Sequence, residues 1–133
     1  ILKSGSHKAI PIIGSIAAGP GKFAVEEFNG TIADIRELQK EEGRFALKIQ
    51  GDSMKDAGIL DGDLAIIQTQ VPVSNGQIGA VLIDDEATLK RVYYEKDRVR
   101  LQPENEFYSP IYVERDSFNS RVIGRYIALV RKA

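Results

Sequence analysis

Two side chains stand in surroundings that suit nucleophilic chemistry, Ser53 and Lys90. Ser53 follows the alternating run Phe45-Ala46-Leu47-Lys48-Ile49-Gln50 and precedes Met54-Lys55-Asp56-Ala57-Gly58, which places it where a strand ends and a short helical turn begins. Backbone N–H groups converge at such a corner and can stabilise negative charge developing on a carbonyl oxygen. The same position equally suits a serine that only caps the turn. Lys90 lies between Leu89 and Val92 in a strand whose core side should be apolar. A lysine there either runs its stem out to solvent from an edge strand or is held as a neutral base. The second use requires desolvation to lower its pKa from ~10.4 by about three units, at a cost of roughly 4 kcal/mol.

Other catalytic chemistries find little support. The single histidine, His7, lies in the flexible stretch Ser4-Gly5-Ser6-His7, so a Ser-His-Asp triad is not expected, and a hydrolytic base must be a carboxylate or a lysine. There is no cysteine, hence no disulfide, thiolate nucleophile or thiolate zinc site. Asp61-Gly62-Asp63 has the core of a calcium loop, but no Glu follows at the required distance and Pro72 falls near that place. Asp84-Asp85-Glu86 has no His or second carboxylate group beside it in the sequence. Both read as turns, and no metal or other cofactor is expected.

The elements that must carry Ser53 and Lys90 are short and apolar. Ile10 to Ile16 reads as an irregular edge strand, and Ala17-Ala18-Gly19-Pro20-Gly21 as a surface loop. Asp34-Ile35-Arg36-Glu37 has the form of a capping box and predicts a short helix or turn ending at Gly43. Leu64 to Ile67 and Ile78 to Ile83 read as buried strands with Asn75-Gly76 turning the chain between them. The acidic turn at residues 84–86 then returns the chain through Thr88 to Tyr93 as a hairpin, with Thr88, Lys90 and Val92 on one face. Further strands are expected at Arg98 to Gln102, Ile111 to Val113 and Arg121 to Arg131. A chain of 133 residues with 43% hydrophobic content fits one domain, mostly β, with antiparallel strands curving around a small core.

With 18 basic and 19 acidic residues the chain lacks the positive excess that phosphate binding requires, so it is not expected to bind DNA by itself. It contains no run of ~18 apolar residues, so no membrane span is expected. With no secretory signal either, a cytoplasmic location is expected.

The stretch from Gly51 through Asp63, Gly51-Asp52-Ser53-Met54-Lys55-Asp56-Ala57-Gly58-Ile59-Leu60-Asp61-Gly62-Asp63, resembles the serine motif of LexA-type self-cleaving proteins, and Ile83 to Arg91 resembles their lysine motif. Gly14-Ser15-Ile16-Ala17-Ala18-Gly19 is similar to the cleavage segment, Ala-Gly bond included, and Leu101-Gln102-Pro103-Glu104-Asn105 resembles a later family stretch. The similarity runs from about Ile10 to Arg131. It implies a LexA/signal-peptidase-like fold of curved antiparallel strands with one or two short helices. It also implies that neutral Lys90 takes the proton of Ser53, whose oxygen attacks the carbonyl of Ala18 and releases Gly19. Thr88 would then help hold the lysine amine, with Asp52 and Met54 beside Ser53 as accessory or oxyanion residues. Pro20 departs from the family pattern, in which proline more often stands one place later; it removes a backbone donor and biases Gly19 toward an extended form.

On this resemblance residues 1–9 are a flexible linker or cloning remnant, and residues 10–133 a self-cleaving protease and dimerisation domain. The N-terminal DNA-binding domain of such a repressor is expected to lie outside this sequence. A homodimer is implied, and cleavage stimulated by an activated RecA filament in the SOS response to DNA damage. A UmuD-like translesion polymerase subunit or a phage-type repressor would share the chemistry, and a helix-turn-helix upstream would exclude the UmuD reading. A signal-peptidase-like enzyme would need a membrane anchor, and a purely structural β module would never cleave.

Overall fold

The computed structural model describes residues 10–19, 22–32, 43–115 and 120–131. The predicted helix or turn after Asp34, the residues up to 9 and Pro20 lie outside them. The described strands are β1 (Ile10–Gly19), β2 (Lys22–Ile32), β3 (Arg44–Lys48), β4 (Leu64–Thr69), β5 (Ile78–Ile83), β6 (Glu86–Tyr94), β7 (Arg98–Gln102), β8 (Ile111–Glu114) and β9 (Ser120–Val130). They form one sheet in the order β2-β1-β3-β4-β9-β5-β6-β7-β8. All neighbours are antiparallel except β1 and β3, which run parallel where Ile12 faces Ala46 and Ile13 faces Leu47. Helical structure among the described residues is a single 3-10 turn, Lys55–Ala57.

Alternation along the strands sorts the apolar side chains to two faces. Phe45, Leu47, Ala65, Ile67, Ala80, Leu82, Leu89 and Ile123 form one buried cluster, into which Met54 and Ile59 are inserted from the loop between β3 and β4. Intervening residues build two smaller clusters, one around Ala46 and Ile66 and the other around Val81, Val92, Val99 and Leu101. Apolar material on both faces explains why Leu64 to Ile67 and Ile78 to Ile83 read as continuous apolar runs.

Several expectations need correction, beginning with the edge-strand reading of Ile10 to Ile16, since β1 lies between β2 and β3. Asn75-Gly76 does turn, with Gly76 at φ +84°, but it joins no hairpin, because β9 is inserted between β4 and β5. Gly76 and Gln77 instead exchange bonds with Val92, continuing the β5–β6 ladder. The small-residue stretch is not a loop from Ala17: β1 continues to Gly19, with Ala17, Ala18 and Gly19 facing Ala24, Phe23 and Lys22 of β2. Strand β2 itself was missed, since Glu26, Glu27, Asn29 and Gly30 hide a strand that is fixed by its antiparallel partner.

The sheet coils at β9, which holds two extra residues against its neighbours. Ile66 and Ile67 of β4 face Ala128 and Tyr126, leaving Ile127 over, and Ala80 and Val81 of β5 face Gly124 and Val122, leaving Ile123 over. Such bulges increase local twist and bend the strand. Between them Gly124 packs so closely on β4 that an added Cβ would lie 2.6 Å from the Gln68 carbonyl oxygen and 2.6 Å from Ile67 Cγ2. Gly124→Ala is therefore expected to lower stability by about 2–3 kcal/mol, since backbone has to move. Urea denaturation of the two proteins measures this, and an unchanged midpoint would contradict the packing argument.

Candidate active site

Ser53 sits in a loop with little regular structure of its own. The base of that loop is clipped by Ile49 N–H donating to the Asp63 carbonyl at 2.9 Å and Gly62 N–H donating to the Ile49 carbonyl at 2.8 Å. Gly51 turns the chain at φ +87°, and its N–H donates to Asp61 Oδ1 at 2.7 Å. Beyond Ser53 the 3-10 turn closes on Gly58, which adopts φ +80° and donates to the Lys55 carbonyl. Met54 and Ile59 anchor the two sides of that turn in the core. The side chain of Met54 is thus a packing residue, while the N–H groups of Ser53 and Met54 meet no acceptor among the described residues.

Lys90 is carried by β6, which is paired on both sides, with β5 and with β7. It is no edge lysine: only 6% of the residue is exposed. Its Nζ lies 3.1 Å from Ser53 Oγ, 3.1 Å from Thr88 Oγ1 and 3.0 Å from the Leu89 carbonyl oxygen. Burial holds the Lys90 pKa below its ordinary 10.5, and no carboxylate among the described residues pairs with it to offset that effect. A neutral amine has two N–H donors and one lone pair. In that neutral form Thr88 and the Leu89 carbonyl would take the two donors, which leaves the lone pair for the Ser53 hydroxyl. The geometry is that of a base beside a nucleophile.

The pair opens into a cleft of about 550 Å³ bordered by Ile49, Gln50, Ile83, Thr88 and Ile111 among others. Asp52 is not aimed at the lysine; its carboxylate accepts from the Tyr108 hydroxyl at 2.5 Å. Ala18 and Gly19 lie on β1, whose backbone is engaged with β2 and which approaches β6. The two acidic clusters do turn chemistry: Asp63 is buried and takes both Leu60 N–H and Arg131, and Asp84, at φ +53°, shapes the β5–β6 hairpin. No group of residues that could hold a metal ion occurs among the described residues.

A serine hydroxyl in contact with a buried lysine that has no carboxylate partner among the described residues suits peptide-bond chemistry, and residues 11–127 match the Peptidase S24-like family model. The chain belongs to that family. As a Peptidase S24-like chain it is similar to proteins named LexA repressor in several bacteria. It is 44% identical over 124 residues to that of Desulforamulus reducens, covering 93% of this chain and 56% of the relative. With that of Clostridium tetani the identity is 48% over 118 residues, 88% of this chain and 59% of the relative. With that of Geotalea uraniireducens it is 44% over 123 residues, 92% of this chain and 61% of the relative. The chain thus spans between 56% and 61% of the length of these relatives.

Sequence reasoning missed the residues that hold the Ser53 loop in place, namely Glu104, Asn105 and Tyr108. The one available signal was the family likeness of Leu101 to Asn105, which carries no role for its members.

The lowered Lys90 pKa has a consequence for stability. Between the folded value and 10.5 the unfolded chain holds a proton that the folded chain releases. The stability contributed by this site therefore rises with pH across that window and is constant above it. Lys90→Met keeps the apolar stem without the charge and is expected to be at least as stable as the parent at pH 7, with its advantage shrinking toward pH 10. Denaturant titrations of both proteins at the two pH values test this; a Lys90→Met chain clearly less stable at pH 7 would contradict it.

Proposed function

We propose that this chain is the self-cleaving protease and dimerisation domain, residues 10–133, of a LexA-like transcriptional repressor of the SOS response. It cuts its own Ala18-Gly19 bond with Ser53 as nucleophile and Lys90 as base. The observation that carries the reading is the 3.1 Å contact between Lys90 Nζ and Ser53 Oγ in a chain of a peptidase family. Lys90 takes the Ser53 proton as Oγ bonds to the Ala18 carbonyl carbon. The oxygen of the tetrahedral intermediate turns to the N–H groups of Ser53 and Met54. Protonated Lys90 then gives its proton to the Gly19 nitrogen as the C–N bond breaks. Water, deprotonated by the same amine, releases Ala18 from the serine ester. Thr88 holds the amine in place throughout.

The relatives' name, LexA repressor, supports the repressor reading over a UmuD-like subunit or a phage-type repressor. Operator binding is assigned to a part of the protein outside these residues, in keeping with a net charge of -1. A homodimer, stimulation by a RecA filament and a cytoplasmic location complete the proposal. No helix among the described residues is long and apolar enough to cross a membrane.

Incubated at alkaline pH, the chain is expected to yield residues 1–18 and 19–133, identified by intact mass. The rate should rise with pH as neutral Lys90 becomes populated and then level off. Ser53→Ala should slow cleavage by at least about 1,000-fold while remaining folded. Fragments with another boundary, or cleavage that persists in Ser53→Ala, would end this reading. Sedimentation at about 100 μM should report a dimer, and a strict monomer at that concentration would count against the assembly.

A further inference from the structure

The serine loop is held from outside by the segment that follows β7, and the two bonds responsible fall on the peptide groups at either side of Ser53. Asn105 Nδ2 donates to the Asp52 carbonyl at 2.9 Å, which also takes Lys55 N–H at 3.2 Å, and Glu104 N–H donates to the Ser53 carbonyl at 2.8 Å. A planar trans peptide points its N–H opposite to its C=O. Fixing the Asp52 carbonyl therefore fixes the direction of Ser53 N–H, and fixing the Ser53 carbonyl fixes that of Met54 N–H. Neither N–H group has an acceptor among the described residues, and the same is true of Asp52 N–H on the far side of the braced peptide.

The brace is itself well supported. Asn105 is buried, at 5% exposure, and its Oδ1 accepts from Phe107 N–H at 2.9 Å, so the carboxamide orientation is set from both ends. The Glu104 carbonyl takes Asp56 N–H at 2.8 Å, and its carboxylate takes Arg91 Nε at 2.5 Å. Arg91 is the neighbour of Lys90 in β6, and it faces Gln102 of β7. Three residues, Pro103 to Asn105, thus lead from the ladder beside the base to both peptides flanking the nucleophile.

Resting on the proposed Ser53–Lys90 reading, we propose that Asn105 is a positioning residue that, with the backbone of Glu104, aims the N–H groups of Ser53 and Met54 at the oxyanion. A carboxamide suits this task because one end must donate to a carbonyl while the other accepts from an N–H. Hydrogen bonding at a peptide carbonyl also polarises the group and strengthens its N–H as a donor.

The test is a self-cleavage time course over the alkaline pH range for the full chain, Ser53→Ala, Asn105→Ala and Asn105→Ser, run well below each protein's measured melting temperature. Asn105→Ser is neutral and can still accept from Phe107 N–H, but it is too short to reach Asp52, so the turn survives if Asn105→Ala fails to fold. Both Asn105 variants are expected to show a plateau rate lower by about 10- to 100-fold. The pH midpoint should stay at the parent's value, because the lysine contacts to Thr88 and Leu89 are untouched. The amide resonances of Ser53 and Met54 should move in the variants. A folded variant that cleaves at the parent's plateau rate, with Ser53→Ala inert, overturns the positioning role and leaves the Ser53–Lys90 reading standing. A midpoint displaced upward with full rate recovered at higher pH also overturns it, since Asn105 would then act through Lys90. Cleavage that persists in Ser53→Ala overturns both.

Discussion

The structure depends on keeping one amine dry. Lys90 is seated on an interior strand, its Nζ shared between Ser53, Thr88 and the Leu89 carbonyl, and removing it from water is unfavourable to its charged form. A carboxylate partner would relieve that strain and hold the lysine protonated, so the absence of one among the described residues fits an amine held for use as a base. Keeping the site dry requires sheet on both sides of β6, and β5 and β7 supply it through unbroken antiparallel ladders. The hairpin turn at Asp84 and the Asn75-Gly76 segment laid along Val92 complete the seat.

Ser53 has the opposite problem, since a loop with a single 3-10 turn lacks the hydrogen-bonded ladder that fixes a strand. It is fixed by anchors of three kinds. Met54 and Ile59 are buried in the core. Segment 103–105 holds its peptides. Arg131, at the end of β9, makes a bidentate bond to Asp63 and reaches the Gly58 carbonyl. The Arg131 guanidinium holds the Asp63 carboxyl below the usual carboxylate range, so this tie is intact at neutral pH and is lost as acid protonates Asp63. The central strand of the sheet and the serine loop are thereby one mechanical unit.

Much of this was legible in the sequence because it obeys local rules. Alternation at Phe45 to Gln50, the apolar runs in β4 and β5 and the tight acidic turn before β6 each specify an element within a few residues. The pairing of Ser53 with Lys90 was reachable only through motif likeness, because a contact across 37 residues of chain leaves no periodic trace. What stayed hidden is non-local in the same sense. The insertion of β9 between β4 and β5 is a choice of partner that a turn signal at Asn75-Gly76 cannot convey. Strand β2 has polar residues where a core pattern would be read, and Asn105 looks like any turn asparagine until its carboxamide is seen to span two segments.

The same geometry bears on where control of the proposed reaction must lie. Ser53 and Lys90 are in contact in a chain whose Ala18 and Gly19 have their backbone paired with β2. For the Ala18 carbonyl to be cut it has to present itself to Ser53 Oγ with its oxygen toward the Ser53 and Met54 N–H groups, and the free energy of that presentation multiplies the rate directly, because the substrate is tethered and its concentration is fixed. An effector that favours the presented arrangement by 1.4 kcal/mol speeds cleavage about tenfold without touching either catalytic group. In the proposed reaction, which each molecule would perform once, control by strand placement leaves Ser53 and Lys90 unchanged while the bond is presented or withheld.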